Sequence, residues 1–329
     1  MRVLHSTTAS EIERVGSSGP HRFNPQDFEA HCAELHLSAI GEDGDVQARC
    51  SLWWSNTPKY KQHRVGVIGH YAASTSEAAF AVLASAENQL RSTGCTFATG
   101  PMNGNTWRSY RFVTEAGDQP AFFLEPANPP EWPLHFETAG FSCLASYFSA
   151  LNRDLSRPDA RIEELKTRMA EAGVTIRSAN SDLTRELDAI YTVSRISFQE
   201  NFLYTEIPQA EFVRMYEPVL PLARPELVLL AERGGECVGY LFAIPNLAQA
   251  AQGLRVDTFI IKTVAILPSP ELRGLGSLLV ARAQRTGHAL GFKHCIHALM
   301  FEDNVSLKIS RRYATVMRKY TLYGKELAG

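Results

Sequence analysis

The segment ILPSPELRGLGSLLV, residues 266–280, places Arg273, Gly274 and Gly276 where an apolar strand-like run gives way to an apolar helix-like one. Glycines at such a junction leave the backbone N–H groups at the helix start open to an anion. Arg273 adds a full positive charge to the partial charge of the helix N-terminus, and Leu275 and Ser277 continue the turn. The chemistry on offer is the holding of a phosphate or pyrophosphate. An ordinary turn with a helix cap can produce the same tetrapeptide, so the motif depends on its context. It is not a dinucleotide fingerprint, because position 279 is leucine, nor a P-loop, because no Gly-Lys-Ser/Thr follows.

A second group of candidates lies in QENFLYTEIP, residues 199–208, where Asn201, Phe202 and Tyr204 combine apolar walls with a few polar groups, as an acceptor pocket requires. Glu200 and Glu206 in the same loop are candidate proton acceptors, and solvated loop carboxylates are their plain alternative. His297, in the apolar run HCIHALM, is either a base or a hydrogen-bonded core residue. Lys262 and Thr263 point to opposite faces of a strand, so one of them faces any cleft beside it. The six cysteines stand singly without metal-binding spacing and read as buried, reduced thiols.

The elements that must position these residues follow from periodicity. In the second half, a strand at 174–177, helices at about 182–198 and 209–217, and a hairpin turning at Gly234-Gly235 precede the strand TFIIKTVAILP. The glycine turn then leads into a helix, the strand HCIHALM, a short helix after Asn304 and a final strand. The first half shows strands near 45–54 and 64–71, an amphipathic helix over STSEAAFAVLASAENQLRSTG, the turn GPMNGNTW, and FETAGFSCLASYFSAL read as a hairpin. NRDLSRPD, residues 152–159, is a polar linker, so the chain divides into 1–155 and 156–329. Each half is expected to be α/β (α+β): a mixed, mostly antiparallel sheet flanked by helices.

The order of the second half, with Ile266 and Pro268 on the strand end and Gly274 and Gly276 in the turn, resembles the GNAT superfamily of acyl-CoA-dependent N-acyltransferases. Glu271 stands where that pattern has Gln or Arg. The first half resembles the same superfamily more faintly, as an eroded tandem copy without the glycine turn. The resemblance implies acetyl-CoA or another acyl-CoA as co-substrate and no metal. It implies backbone N–H groups at Val264, Ala265, Ile266 and Leu267 along the pantetheine, and the turn from Arg273 to Ser277 on the pyrophosphate. Asn304 falls on the cofactor arm or caps the helix, Tyr313 falls at the thioester sulfur with Tyr204 in reserve, and Glu200, Glu206 and His297 stand as candidates for the base. Asn201, Phe202 and His297 fall on the acceptor.

Composition agrees with such a role. Apolar residues make up 45% and charged residues 21% of the chain, and a net charge of -2 gives no reason to expect nucleic acid or an anionic membrane. That near-neutral balance also counts against an aminoacyl transferase using charged tRNA. No run is long and apolar enough to span a bilayer, so a soluble cytoplasmic protein is expected, acting on a small-molecule amine or a protein, with a homodimer left open. The expected activity is transfer of an acyl group, most simply acetyl, to an amine. A non-catalytic acyl-CoA-binding or scaffold protein is the alternative.

Overall fold

A computed structural model describes residues 1–16, 23–157, 159–302 and 309–327. The first half supplies strands β1 (Arg2–Ser6), β2 (Leu35–Ile40), β3 (Val46–Trp53), β4 (Val65–Ala73), β5 (Phe97–Gly100), β6 (Phe112–Glu115) and β7 (Ser142–Asn152). The second supplies β8 (Val174–Ser178), β9 (Val228–Arg233), β10 (Glu236–Pro245), β11 (Thr258–Ile266), β12 (His294–Phe301) and β13 (Thr315–Glu326). The helices are α1 (Ala9–Val15), α2 (Gln26–Ala30), α3 (Ser76–Ser92), α4 (Glu131–Thr138), α5 (Ile162–Glu171), α6 (Leu187–Phe198), α7 (Gln209–Tyr216), α8 (Leu247–Ala251) and α9 (Leu275–Ala289).

The two halves repeat one plan. From β1 to β4 and from β8 to β11 each neighbour pairs antiparallel, and each run closes on a parallel pair, β4 with β5 and β11 with β12. A parallel pair needs a crossover, and α3 and α9 provide the two. Both helices carry the expected stripe: Ala79, Val82, Leu83, Ala86 and Leu90 of α3, and Leu275, Leu279 and Ala283 of α9, have no solvent exposure.

The last strands are exchanged. β13, at the end of the chain, lies against β5 of the first half, while β7 of the first half runs between β13 and β12. One mixed, mostly antiparallel sheet therefore crosses the molecule in the order β1-β2-β3-β4-β5-β13-β7-β12-β11-β10-β9-β8, with β6 on β13. No helix among the described residues is long and apolar enough to cross a membrane.

Several local expectations are corrected. FETAGFSCLASYFSAL is not a hairpin but the end of α4 and the single strand β7. Gly140, at φ +86, is a helix terminus, with Gly140 N–H donating to Glu137 and Phe141 N–H to Phe136. The helix expected from residue 182 opens as a 3₁₀ turn, Leu183–Glu186, before α6. All six cysteines are free, but Cys32 and Cys143 are exposed rather than buried. Asn304 and the short helix expected after it lie outside the described residues.

Candidate active site

β11 and β12 are paired only from Thr258 opposite His294 to Ile261 opposite His297. Beyond that point β11 stays on β10 while β12 continues along β7, and the two strands part. The parting coincides with a β-bulge: Phe242 faces Thr263 and Ala243 faces Ile261, which leaves Lys262 as the extra residue. Leu267 N–H donates to Val238 O on β10 at 2.9 Å, and Ser197 Oγ donates to Ile266 O on the opposite side at 2.9 Å. Strand alternation then turns the N–H groups of Val264 and Ile266 to the open edge. Of the four residues expected along the pantetheine, Leu267 has its N–H engaged on β10, and Ala265 faces the same way.

The open edge leads to the start of α9. Gly274 is the N-cap at φ +94, in the left-handed region, and among the described residues no side chain caps the helix. Leu278 N–H reaches Gly274 O, and Leu275, Gly276 and Ser277 form the first turn. A methyl group at Gly276 would face the side chains of Ile309, Val264 and Ile266 at 3.4, 3.7 and 3.9 Å, so its bare side looks toward the part of β11 that has left β12. At Gly274 a methyl group would come within 2.7 Å of Leu165 on α5. Arg273 is exposed, and Arg168 of α5, which the sequence reading did not single out, donates to its carbonyl. Glu271 is exposed on the same turn, and a hydrogen bond from Ser269 Oγ holds its carboxyl below the usual range.

Beside this edge lies a cavity of about 700 Å³ built by both halves. Lys262, Thr263 and Val264 of β11, Asn201, Phe202 and Tyr204 of the loop after α6, and residues 106–111 of the first half line it. The structure thus brings together the three acceptor-loop residues and the strand edge. Phe202 stacks on Phe301 with ring centres 5.8 Å apart. Tyr204 Oη donates to Arg195 O at 3.4 Å, and burial raises its pKa.

Other candidates lie elsewhere or are engaged. His297 reaches the cavity wall, but the Gln284 amide donates to its Nε2 at 3.1 Å, leaving Nδ1 to donate to Ser310 Oγ at 3.0 Å. Burial moves its pKa down to about 4, so it is neutral. Glu206 is exposed, paired with Arg195 at 3.7 Å, and is not part of the wall. Tyr313 is also outside the wall, its hydroxyl donating to Asp159 Oδ2 at 2.8 Å. The sequence reading did not single out Arg111 or Trp107; no local motif marks them, because the strand exchange brings them to the cavity.

The corresponding place in the first half is closed. Met102 N–H donates to Ile68 O and His70 N–H to Asn103 Oδ1, which stitches β4 to the loop after β5, and a methyl group at Gly69 would overlap the Met102 carbonyl. The N-terminus of α3 is capped by the Thr75 side chain, bonded to Ala78 N–H at 3.2 Å. Neither an open strand edge nor a free helix start is left there.

This architecture is the fold of the GCN5-related N-acetyltransferases, present twice in tandem, and the open edge of β11 with the free start of α9 belongs to the second copy. A GCN5-related N-acetyltransferase from Sphaerobacter thermophilus superposes with a TM-score of 0.53 at 14% identity, over 99% of this chain and 96% of that one. A tandem GNAT protein from the clavulanic acid biosynthesis pathway gives 0.51 at 12%, over 100% and 99%. The glucosamine N-acetyltransferase region of a fungal multi-domain β-N-acetylglucosaminidase gives 0.56 at 14%, over 98% of this chain and 38% of that one. In sequence, the chain is 26% identical over 251 residues to a bacterial ceramide synthase of Caulobacter vibrioides, spanning 74% of this chain and only 64% of that protein. No family model matches the chain.

Proposed function

We propose that this chain is an acyl-CoA-dependent N-acyltransferase whose second half binds the donor and whose two halves together enclose the acceptor. The observation that carries this reading is the uncapped start of α9 meeting the open edge of β11, with the cavity adjoining at Val264. Gly276, Ser277 and Arg273 would take the pyrophosphate, and the N–H groups of Val264 and Ile266 the pantetheine. The cavity is lined largely by apolar side chains such as Phe198, Met215, Phe242 and Met300. That lining favours a long acyl chain or a long-chain amine over acetyl and a small amine, and ceramides, named in the curated relative, are amides of long-chain amines.

In the reaction, the neutral amine attacks the thioester carbonyl carbon, its surplus proton leaves to water, and the C–S bond breaks. A backbone N–H on the open edge of β11 stabilises the oxyanion, an effect of about 3 kcal/mol for one well-placed donor. The departing thiolate needs a proton. Tyr204, in the wall and held protonated by burial, supplies it and is reprotonated from the water that took up the amine's proton. Tyr313 is a less direct donor, since it lies outside the wall with its hydroxyl bonded to the carboxylate of Asp159.

A non-catalytic acyl-CoA-binding or scaffold protein is the second reading. Glu271 favours its scaffold form, because a charged carboxylate on the turn weakens the hold on a pyrophosphate. Thiol release decides between the two: the protein is incubated with acetyl-CoA or palmitoyl-CoA and a panel of short and long amines. Amine-dependent release that falls at least tenfold in Tyr204→Phe supports the enzyme and its proton donor. Binding without release under every pairing supports the second reading.

A further inference from the structure

Arg111 enters the cavity from the segment ahead of β6 and is 7% exposed. Its guanidinium lies 3.8 Å from the ring centre of Tyr110 and 4.0 Å from that of Tyr147. Nη1 donates to Leu299 O at 3.2 Å. Nε is buried without a partner, and neither it nor Nη2 meets an acceptor among the described residues. These two nitrogens form the edge of a guanidinium that receives a carboxylate or phosphate with two parallel hydrogen bonds. The backbone at Arg111 is left-handed, φ +71, a costly state for a residue with a Cβ, held by Arg111 N–H donating to Pro101 O at 2.8 Å.

A second cation shares the wall. Lys262, the bulge residue of β11, donates to Leu124 O at 3.2 Å and lies close enough to Arg111 to feel its charge. The nearby carboxylate of Glu125 is engaged by Arg318, by the Tyr320 hydroxyl and by Phe122 N–H. Arg108 differs from Arg111 in having its own partner, Glu211. Two cations therefore face an apolar cavity in which Glu125, the one carboxylate of the wall among the described residues, is already engaged. An amine bearing only its ammonium charge would meet repulsion there, and the unmade bonds of a buried guanidinium carry a cost until a ligand makes them.

We propose that Arg111 and Lys262 form an oxyanion subsite, so that the acceptor is an apolar amine that also carries a carboxylate or phosphate group. The proposal rests on the reading of the cavity as the acceptor pocket and deepens it. Its test is calorimetric titration of the full chain with dodecanoate, dodecyl phosphate, dodecylamine and dodecanol below their aggregation concentrations, without acyl-CoA. The expected result is that one or both oxyanions bind at least tenfold more tightly than the amine and the alcohol, the tighter one naming the group. Arg111→Met should erase the preference, Arg111→Lys should restore part of it, and Lys262→Met should reduce it severalfold. The separate Lys262 variant keeps the test decisive if Arg111→Met does not fold. Equal binding of dodecanol and the oxyanions, no heat from either oxyanion, or a preference that survives both Arg111→Met and Lys262→Met overturns the subsite. Thiol release from acyl-CoA is read separately, so a failed donor assignment is distinguishable from a failed oxyanion subsite.

Discussion

Trp107 of the first half donates its indole N–H to the carbonyl of Thr205 in the second at 2.8 Å, and its ring packs edge-on to Tyr204 and Phe212. One side chain thereby ties the GPMNGNTW segment to the loop that carries Tyr204. Trp107→Phe keeps most of the packing and loses the bond, worth about 1 kcal/mol. The expected result is a small drop in thermal midpoint and a severalfold rise in the KM for the amine, with the KM for acyl-CoA unchanged. Steady-state kinetics with each substrate varied in turn checks it; equal rises in both KM values would contradict it.

The two glycines of the turn should separate stability from binding. Gly274→Ala forces a Cβ into a left-handed position and against Leu165, at a cost of about 1–3 kcal/mol, visible in the denaturation midpoint. Gly276 has ordinary backbone, and a Cβ there would meet Ile309, Val264 and Ile266 only at van der Waals distance. Gly276→Trp should leave the fold intact and fill the donor path, lowering acyl-CoA affinity at least tenfold.

Burial lowers the pKa of Lys262 to about 8, so the folded protein binds this proton less readily than the unfolded chain, where lysine titrates near its ordinary value. The penalty is fully present below about pH 8 and is relieved as pH rises toward the unfolded value. Lys262→Met should raise the melting temperature at pH 7, and the gain should shrink by pH 10. Thermal melts at the two pH values check this, and an equal or larger gain at pH 10 would contradict it.

Buried neutral histidines set the acid limit. Burial holds His36 at about 3 and His297 at about 4. As pH falls through about 6.5 the unfolded chain takes up protons that the folded chain refuses, so stability is present above that pH and declines below it. Each fully shifted histidine contributes a slope of up to roughly 1.4 kcal/mol per pH unit. Urea midpoints from pH 7 to 5 should decline steadily; a flat profile would contradict the account.

Local signals carried much of this architecture. The hairpin at Gly234-Gly235, β11 and the glycine turn announce themselves through periodicity and turn chemistry, because each is stabilised mainly by neighbours close in sequence. The exchange of β7 and β13 is invisible at that level, since Gly100 opposite Tyr323 joins residues more than two hundred positions apart. Strands β1 and β2 also escape local reading, short β1 being fixed largely by its pairing with β2. The cavity suffers most from this: Arg111 and Trp107 sit in an irregular segment with no recognisable pattern, and only tertiary pairing sets them opposite Lys262 and Tyr204. Tyr313, by contrast, has a motif-like position and a hydroxyl turned to Asp159.

The central claim is that the open edge of β11 and the free start of α9 hold an acyl-CoA, and titration calorimetry with palmitoyl-CoA and acetyl-CoA tests it most directly. The account predicts binding by the natural chain that is at least tenfold weaker in both Gly276→Trp and Arg273→Glu, with unchanged melting temperatures. Absence of binding to either acyl-CoA, or affinity undiminished in both variants, would contradict it.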